Sequence, residues 1–382
     1  MIGKIGKLFS EKFSQEPLII RSPGRVNIIG EHTDYNDGFV LPAAIDKSIY
    51  AAVAKRNDNG IHLFAVNFNE SFETTIAAIQ PSSDWPTYIL GVVDQLLKHN
   101  HTIGGFNLVL DGDIPPGAGL SSSAAVECAI VFALNELFEL GIDKMQIVKM
   151  AQMAEHTYAG VKCGIMDQFA SMFGKKDHAI KLDCRSLQYE YIPLNLEGYK
   201  LVLFNTNVKH SLASSEYNVR RQQCEAGVEL LLPHYQQVKN LRDVAMPMLD
   251  EYVKPEDELI YRRCKYVVEE NERLTTACND LMQGNVKELG KKMFATHEGL
   301  SKDYEVSCKE LDFLVDAVKG NTNVLGARMM GGGFGGCTIN IIKDESIKEI
   351  TETLAKEYNT KMGMELTAYI VQTNDGTSVV TT

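Results

Sequence analysis

Gly24-Arg25-Val26-Asn27-Ile28-Ile29-Gly30-Glu31-His32-Thr33-Asp34-Tyr35 is the stretch on which the reading of this chain turns. It leaves an apolar run, Leu18-Ile19-Ile20, and gathers Arg25, Glu31, His32 and Asp34 within ten residues. A strand end followed by glycine and then mixed charge is poor core material. Burying such groups unpaired costs several kcal/mol, so water or a ligand must satisfy them. Arginine supplies only donors, an ionised carboxylate only acceptors, and histidine one of each. Together they can fork around a polyhydroxylated small molecule, whose every hydroxyl needs both. The stretch therefore reads as a binding site for something sugar-like.

The rest of the chain sets the frame. At 382 residues it suits two domains rather than one core. Hydrophobic content of 45% and charged content of 23% are ordinary for a globular protein. A formal charge of −12 and a pI near 5.3 argue against nucleic acid or an anionic membrane as partner. An anionic ligand would need backbone N–H groups, an arginine or a metal ion to overcome that field. Eight cysteines are scattered without C-x-x-C spacing, so neither a zinc ribbon nor a redox pair is expected, and several fall in apolar helical patterns as free thiols. Met1 to Phe13 carries three lysines but no signal-like apolar run, and no window approaches a membrane span. A cytoplasmic protein is expected.

Strand-like segments come first, at 18–20, 48–56, 61–66 and 71–76, with Asn57-Asp58-Asn59-Gly60 as a turn. The periodicity predicts a helix over 85–99, a strand over 106–110, and helices over 122–140 and 143–159, the last capped by Asp143. Short strands are expected at 179–183, 188–192 and 200–204, then a charged, mostly helical region from 214 to about 318. A strand over 338–342, a helix near 344–359 and a strand near 365–372 close the chain. The fold class expected is α+β, with mixed sheets packed against helices and the site between two domains. The boundary falls between 175 and 185, giving domains 1–180 and 181–382, with the last strand free to pack on either.

Gly112 to Ala125 is the second signal. Pro115-Pro116 stiffens the entry, Gly117 and Gly119 permit backbone geometry other residues resist, and Ser121, Ser122 and Ser123 open an apolar helix. Such a loop points backbone N–H groups and a helix N-terminus at one spot, which suits phosphate. It is not a Walker A loop, because no lysine follows the glycines. The plainer alternative is a serine cap on a core helix, for which one serine would do. A third segment, Gly331 to Gly336, contains G-x-G-x-x-G but runs into the alternating Cys337–Ile342 rather than a helix. Close backbone packing beside a ligand fits it better than a dinucleotide site.

The three segments together resemble the GHMP small-molecule kinase superfamily of galactokinase, homoserine kinase, mevalonate kinase and phosphomevalonate kinase. Within it the chain is similar to the galactokinase family. Gly24–Tyr35 with Phe39-Val40-Leu41-Pro42 resembles that family's sugar signature, Pro116–Ala125 its ATP loop and Gly331–Gly336 its third motif. Cys163-Gly164-Ile165-Met166-Asp167-Gln168-Phe169 and Ser214 to Arg221 fit as well, so the resemblance runs from about residue 21 to 340. Asp37 stands where the family commonly has glycine, at a turn position.

The resemblance implies ATP-dependent phosphorylation of the anomeric hydroxyl of galactose, with galactose and ATP as the partners of a monomer. It makes Asp167 the base and Arg25 its charge-stabilising partner. An arginine within a few Å favours the carboxylate, so Asp167 is expected to be a weak base that orients the hydroxyl and takes its proton late. Read alone, Asp167 would be a capping or salt-bridged structural aspartate. The resemblance also implies ATP contacts from Gly117, Ala118, Gly119, Leu120, Ser121, Ser122 and Ser123, and Mg²⁺ ligands in Ser123 and Glu155. A solvated surface carboxylate is the plainer reading of Glu155. Glu31, His32, Thr33, Asp34, Gly164 and Tyr217 match the galactose contacts. Trp85 and Tyr88 match residues flanking adenine, with core packing an equal alternative.

Other readings compete. His32-Thr33-Asp34 has the H-x-D form of a metallohydrolase, although His99 and His101, the other close histidine pair, lie in a polar turn without acidic neighbours. A non-catalytic sugar sensor on the same scaffold would have a shortened serine-alanine loop, and here Ser121–Ala125 is full length. An N-acetylgalactosamine or arabinose kinase shares much of the motif set.

Overall fold

The computed structural model describes residues 1–115, 117–208 and 213–380. Pro116, which the sequence places at the stiff entry of the serine loop, lies outside them. The architecture is α+β. Six strands form one mixed sheet in the order Ser378–Val380, Leu18–Asn27, Pro42–Lys55, Phe106–Gly112, Gly60–Ala65 and Glu70–Thr75. All neighbours are antiparallel except Gly60–Ala65 beside Phe106–Gly112. A four-stranded antiparallel sheet runs Val324–Met329, Cys337–Lys343, Tyr199–Asn205 and Thr367–Val371. Phe39–Val40, His178–Asp183 and Tyr189–Pro193 make a small third sheet.

The first strand departs from expectation. It does not end at Gly24 but continues to Asn27, with its register slipping between Pro23 and Arg25 against Pro42–Lys55. Proline cannot donate to a ladder, and a bulge is where a sheet tolerates it. The bulge lets the loop before the Ser122–Phe138 helix approach: a Cβ on Gly24 would stand 2.8 Å from the Leu120 carbonyl. Glycine is required there by contact, not only by turning.

Ser122–Phe138 is apolar on every side and accordingly buried, packed on the first sheet among Pro86–Lys98, Lys144–Ala154 and Met166–Phe173. A second core joins the first and second sheets beneath the cleft. Val26, Ile28 and Ile29 meet Leu120, Met330 and Ile339 there. The signature's apolar residues thus feed this core while its polar ones are left for the cleft.

Asp143 caps its helix as expected, accepting from Gln146 N–H at 2.9 Å. That helix ends at Ala154, and a π turn over Glu155–Ala159 replaces its last expected turn. Such insertions concentrate at functional sites because they re-aim side chains. Ile2–Phe13 is a helix not among the expected elements, although Ile2, Ile5, Phe9 and Phe13 recur at helical spacing, and it buries Ile5, Gly6 and Phe9. Region 214–318 is helical, chiefly Ala213–Leu231, Met246–Tyr252, Glu258–Met282, Val286–Glu298 and Lys309–Val318. Among the described residues no helix is long and apolar enough to cross a membrane.

Candidate active site

Arg25 emerges just past the bulge, 4% exposed. Its guanidinium grips Asp167 through two parallel bonds, Nε to Oδ1 at 2.8 Å and Nη2 to Oδ2 at 3.0 Å. Nη1 donates to the Gly119 carbonyl at 2.6 Å, and the Arg25 backbone N–H donates to that of Leu120 at 3.2 Å. Burial opposes the arginine's charge, but Asp167 and Glu31 outweigh it and hold the group above its ordinary pKa.

Asp167 sits in the first turn of Met166–Phe173, where a helix favours negative charge. Its Oδ2 also accepts from Ser121 Oγ at 2.5 Å. Of about four lone-pair positions on a carboxylate, three are filled, and the open one lies on Oδ1. Asp167 is salt-bridged, as its structural reading requires, yet it lines a cleft with Arg25, Glu31, His32, Asp34 and Tyr217.

Ser121 is left-handed at φ 57 and ψ 54, an arrangement that costs a non-glycine residue about 1–2 kcal/mol. It precedes the Ser122–Phe138 helix but makes no capping bond, since its hydroxyl is spent on Asp167. The simple serine cap is therefore not what this loop forms. Ser122 and Ser123 border an adjoining apolar cleft with Trp85, Tyr88, Phe68 and Val126. Trp85 also packs on the first core and donates Nε1–H to Glu70 at 3.0 Å. Ala118 and Leu120 are buried, while Gly117 and Gly119 have φ near +71 and +72.

The third glycine segment joins two antiparallel strands, so no helix follows it and the dinucleotide reading fails. Its backbone lies against the serine loop: Cβ atoms on Gly331 and Gly336 would stand 3.6 and 3.7 Å from the Gly119 and Gly117 carbonyls.

The signature's other polar residues part company. Glu31, 2% exposed, accepts through Oε1 from both Nη atoms of Arg328 at 3.1 Å and from Gly331 N–H at 2.7 Å. Its Oε2 accepts from Asn27 Nδ2 at 3.0 Å. Burial pushes its pKa up, but Arg328 and Arg25 win and hold it below the ordinary value. Asp34 is different. Burial first, then Asp167, raises it to about 7. Its carboxylate packs on Gly164, where a Cβ would meet Oδ2 at 1.9 Å. His32 and Tyr217 close the cleft with ring centroids 5.3 Å apart. Thr33 does not face it: its hydroxyl is shared between the carbonyls of Gly30 at 3.0 Å and Phe39 at 2.5 Å. The H-x-D residues do not converge as metal ligands either, and His32 Nδ1 is bonded to Tyr35 Oη at 2.8 Å.

Glu155, at the start of the π turn, is 8% exposed rather than a solvated surface group. Its Oε1 accepts from Ser123 Oγ at 2.9 Å and its Oε2 from Gln168 Nε2 at 2.8 Å. The serine and glutamate oxygens, beside a helix N-terminus, are the donor set a hard cation prefers.

Three comparisons with known proteins bear on this geometry. Family models match residues 7–55 (galactokinase galactose-binding signature), 87–175 (GHMP kinases N terminal domain) and 277–360 (GHMP kinases C terminal). A galactokinase of Thermotoga petrophila is 43% identical over 94% of this chain and 98% of its own length. The chain belongs to the galactokinase family. It is accordingly a sugar kinase of the GHMP fold, with ATP as co-substrate. A galactokinase of Clostridium acetobutylicum is 44% identical over 93% of this chain and 92% of its own. The crystal structure of Lactococcus lactis galactokinase complexed with galactose superposes with a TM-score of 0.95 at 32% identity, covering 99% of this chain and 100% of that one.

Sequence reasoning missed two charged groups of this galactokinase-family site, Arg328 and Glu127. Arg328, fully buried, also donates to the Ile28, Met329 and Asn27 carbonyls. Glu127, fully buried on the Ser122–Phe138 helix, shares Gln168 Nε2 with Glu155 at 3.3 Å. Burial, then Glu155, pushes its pKa well up. An acid in the apolar middle of a helix and a lone arginine in a strand were the available signals.

Proposed function

We propose that this cleft transfers the γ-phosphoryl group of ATP to the anomeric hydroxyl of galactose, giving galactose 1-phosphate and ADP. The single observation that carries the reading is Asp167, which lines the cleft doubly bonded to Arg25 and bonded to Ser121, with one lone pair on Oδ1 left over. That lone pair suits the sugar hydroxyl. The bonds from Arg25 and Ser121 fix the Asp167 carboxylate in place, and a loose phosphoryl-transfer transition state asks of it only a late proton acceptor, because the nucleophile sheds its proton late. Arg25, charged and buried, also steadies negative charge on the moving phosphoryl group.

The serine loop would cradle the phosphates through the uncapped N–H groups of Ser122 and Ser123, with adenine in the apolar cleft between Trp85 and Tyr88. Ser123 and Glu155 would hold Mg²⁺, which supplies neutralisation of the triphosphate in an acidic protein. Glu155→Gln is expected to raise the Mg²⁺ concentration at half-maximal rate about tenfold or more. Titrating initial rates with MgCl₂ at fixed ATP checks this, and an unchanged requirement would remove Glu155 from the ligand set.

Glu31, His32, Asp34, Gly164 and Tyr217 are read as the sugar contacts. A carboxylate accepting from a hydroxyl rejects the wrong epimer, because a misplaced hydroxyl leaves buried charge unpaired. Asp34 must be ionised to accept, and burial with Asp167 nearby raises its pKa to about 7 in the free protein. Galactose binding should therefore release a proton below pH 7 and weaken up to about tenfold per pH unit lost there. Calorimetry in buffers of different ionisation enthalpy reads that proton directly. The folding sign is opposite: ionising Asp34 costs stability increasingly as pH rises from its ordinary value of 3.8 toward 7.

Free thiols at all eight cysteines suit the cytoplasm. The division into 1–180 and 181–382 is supported by separate matches to the N-terminal and C-terminal family models. An ADP-release assay over galactose, N-acetylgalactosamine, glucose, arabinose and mevalonate tests the substrate. Galactose should lead clearly; a dominant response to N-acetylgalactosamine would overturn it.

A further inference from the structure

His32 is held in an unusual way. Its backbone is left-handed at φ 61, and Asn36 Nδ2 donates to its carbonyl at 3.0 Å. The residue is 4% exposed, and Nε2, on a ring that lines the sugar cleft, makes no hydrogen bond of good geometry among the described residues, the Gly332 backbone being the other polar group beside the ring. Leaving a buried ring nitrogen unmet costs free energy unless a ligand meets it. The other nitrogen is the start of a row. Nδ1 lies 2.8 Å from Tyr35 Oη, which lies 2.8 Å from Tyr304 Oη, which lies 3.2 Å from Cys224 Sγ. Tyr304 is fully buried just beyond the Val286–Glu298 helix and its π turn Gly299–Asp303. Its carbonyl is pinned by Arg220 Nε at 2.8 Å, and its ring lies 5.0 Å from that of His32.

Each hydroxyl in the row carries one proton and must face one way, so only two arrangements are consistent. Running toward histidine, the thiol donates to Tyr304, Tyr304 to Tyr35 and Tyr35 to Nδ1, which leaves the proton on Nε2. Running away, Nδ1–H donates to Tyr35 and the row ends with Tyr304 donating to sulfur, leaving Nε2 bare. The first ends on a neutral imidazole nitrogen, the best acceptor in the row. The second ends on a thiol sulfur, the poorest. Bonds aligned in one sense also strengthen one another. The cleft favours the same answer: Glu31, Asp34 and Asp167 crowd it with acceptors, so a sugar hydroxyl donating to one of them still needs a donor.

We propose that Tyr35 and Tyr304 are positioning residues for sugar recognition, fixing neutral His32 in the Nε2–H form so that it donates to a galactose hydroxyl. Neither tyrosine need touch the sugar. The inference rests on the galactose reading of the cleft.

Tyr304→Phe keeps the ring and removes the hydroxyl. It should raise the galactose KM about tenfold, the usual scale of one lost buried hydrogen bond, while kcat changes less than about twofold. Cys224→Ala, which spares every ring, should move KM the same way by a smaller factor. A deoxygalactose lacking the hydroxyl that His32 meets should show no difference between Tyr304→Phe and the parent, which names that hydroxyl. Long-range ¹H–¹⁵N correlation on the full-length, histidine-labelled protein reads the tautomer without turnover: Nε2–H in the parent, a mixture in Tyr304→Phe. An Nδ1–H signal in the parent, or an unchanged KM in a Tyr304→Phe protein of parental melting temperature, would overturn the proposal. Parent enzyme that turns over galactose in those experiments localises the failure to the relay; a parent that does not would overturn the reading beneath it.

Discussion

Asp167→Asn should leave galactose affinity within about threefold of the parent and lower kcat about a thousandfold, the range expected when a positioned proton acceptor is lost. The substitution is nearly isosteric, but an amide has one acceptor oxygen where the carboxylate has two. Asp167 meets Arg25 Nε and Nη2 with separate oxygens and adds Ser121 on the second. The amide group must therefore either face a guanidinium N–H or turn away and leave Arg25 half-paired in a buried position. Sugar contacts from Glu31, Asp34 and Tyr217 are untouched, which is why affinity should survive. Comparing galactose affinity by calorimetry with single-turnover rates separates the two effects. Turnover near the parental rate would remove Asp167 from the chemistry and leave it a structural salt bridge.

Arg328→Met should cost about 3–5 kcal/mol of folding stability, the usual penalty for stranding one partner of a buried ion pair. Arg328 and Glu31 are 0% and 3% exposed in their side chains, and Arg328 also bonds three carbonyls. Methionine approximates its length but meets none of those acceptors. Glu31 would keep only Gly331 N–H and Asn27. Adding Glu31→Gln to Arg328→Met should recover part of the loss, because the stranded charge is gone; the coupling is what a double-mutant cycle measures. Urea denaturation gives the values. The pH sign is fixed by Glu31, whose pKa is held below its ordinary 4.5. The pairing stabilises fully above that value and fades as pH falls through the lowered one, so parent and variant should converge in acid. Equal stabilities at pH 7 would mean that this pair does not hold the glycine hairpin to the signature.

The contrast between these two residues explains what could be read from the chain. Arg25 and the serine loop were legible because each sits in a local pattern whose cost is local: charge after a strand, or glycines and serines opening an apolar helix; Asp167 was marked only by the resemblance of Cys163–Phe169 to the family. Arg328 was not legible, because its partner Glu31 is 297 positions away and a lone arginine in Val324–Met329 does not reveal what it pairs with. A comparable separation, 269 positions between Tyr35 and Tyr304, hid the row that reaches His32. Pro23-Gly24 reads as a strand end because local rules disfavour both residues in a strand, but pairing with Pro42–Lys55 on the far side of the bulge overrides them. The π turn at Glu155 was missed because it differs from an α turn by one residue in hydrogen bonding and leaves no compositional trace. Thr33, assigned to the sugar by its place in the signature, turns its hydroxyl into the loop instead, where two carbonyls need a donor.

The central claim is that the cleft phosphorylates galactose at its anomeric hydroxyl with Asp167 facing that oxygen. Two-dimensional ¹H–³¹P correlation of the product formed from galactose, ATP and Mg²⁺ tests it most directly. The account predicts one sugar phosphate whose phosphorus couples to the anomeric proton and whose yield matches the ADP released. Phosphorus coupled to the C6 protons, or ADP formed without any sugar phosphate, would contradict it.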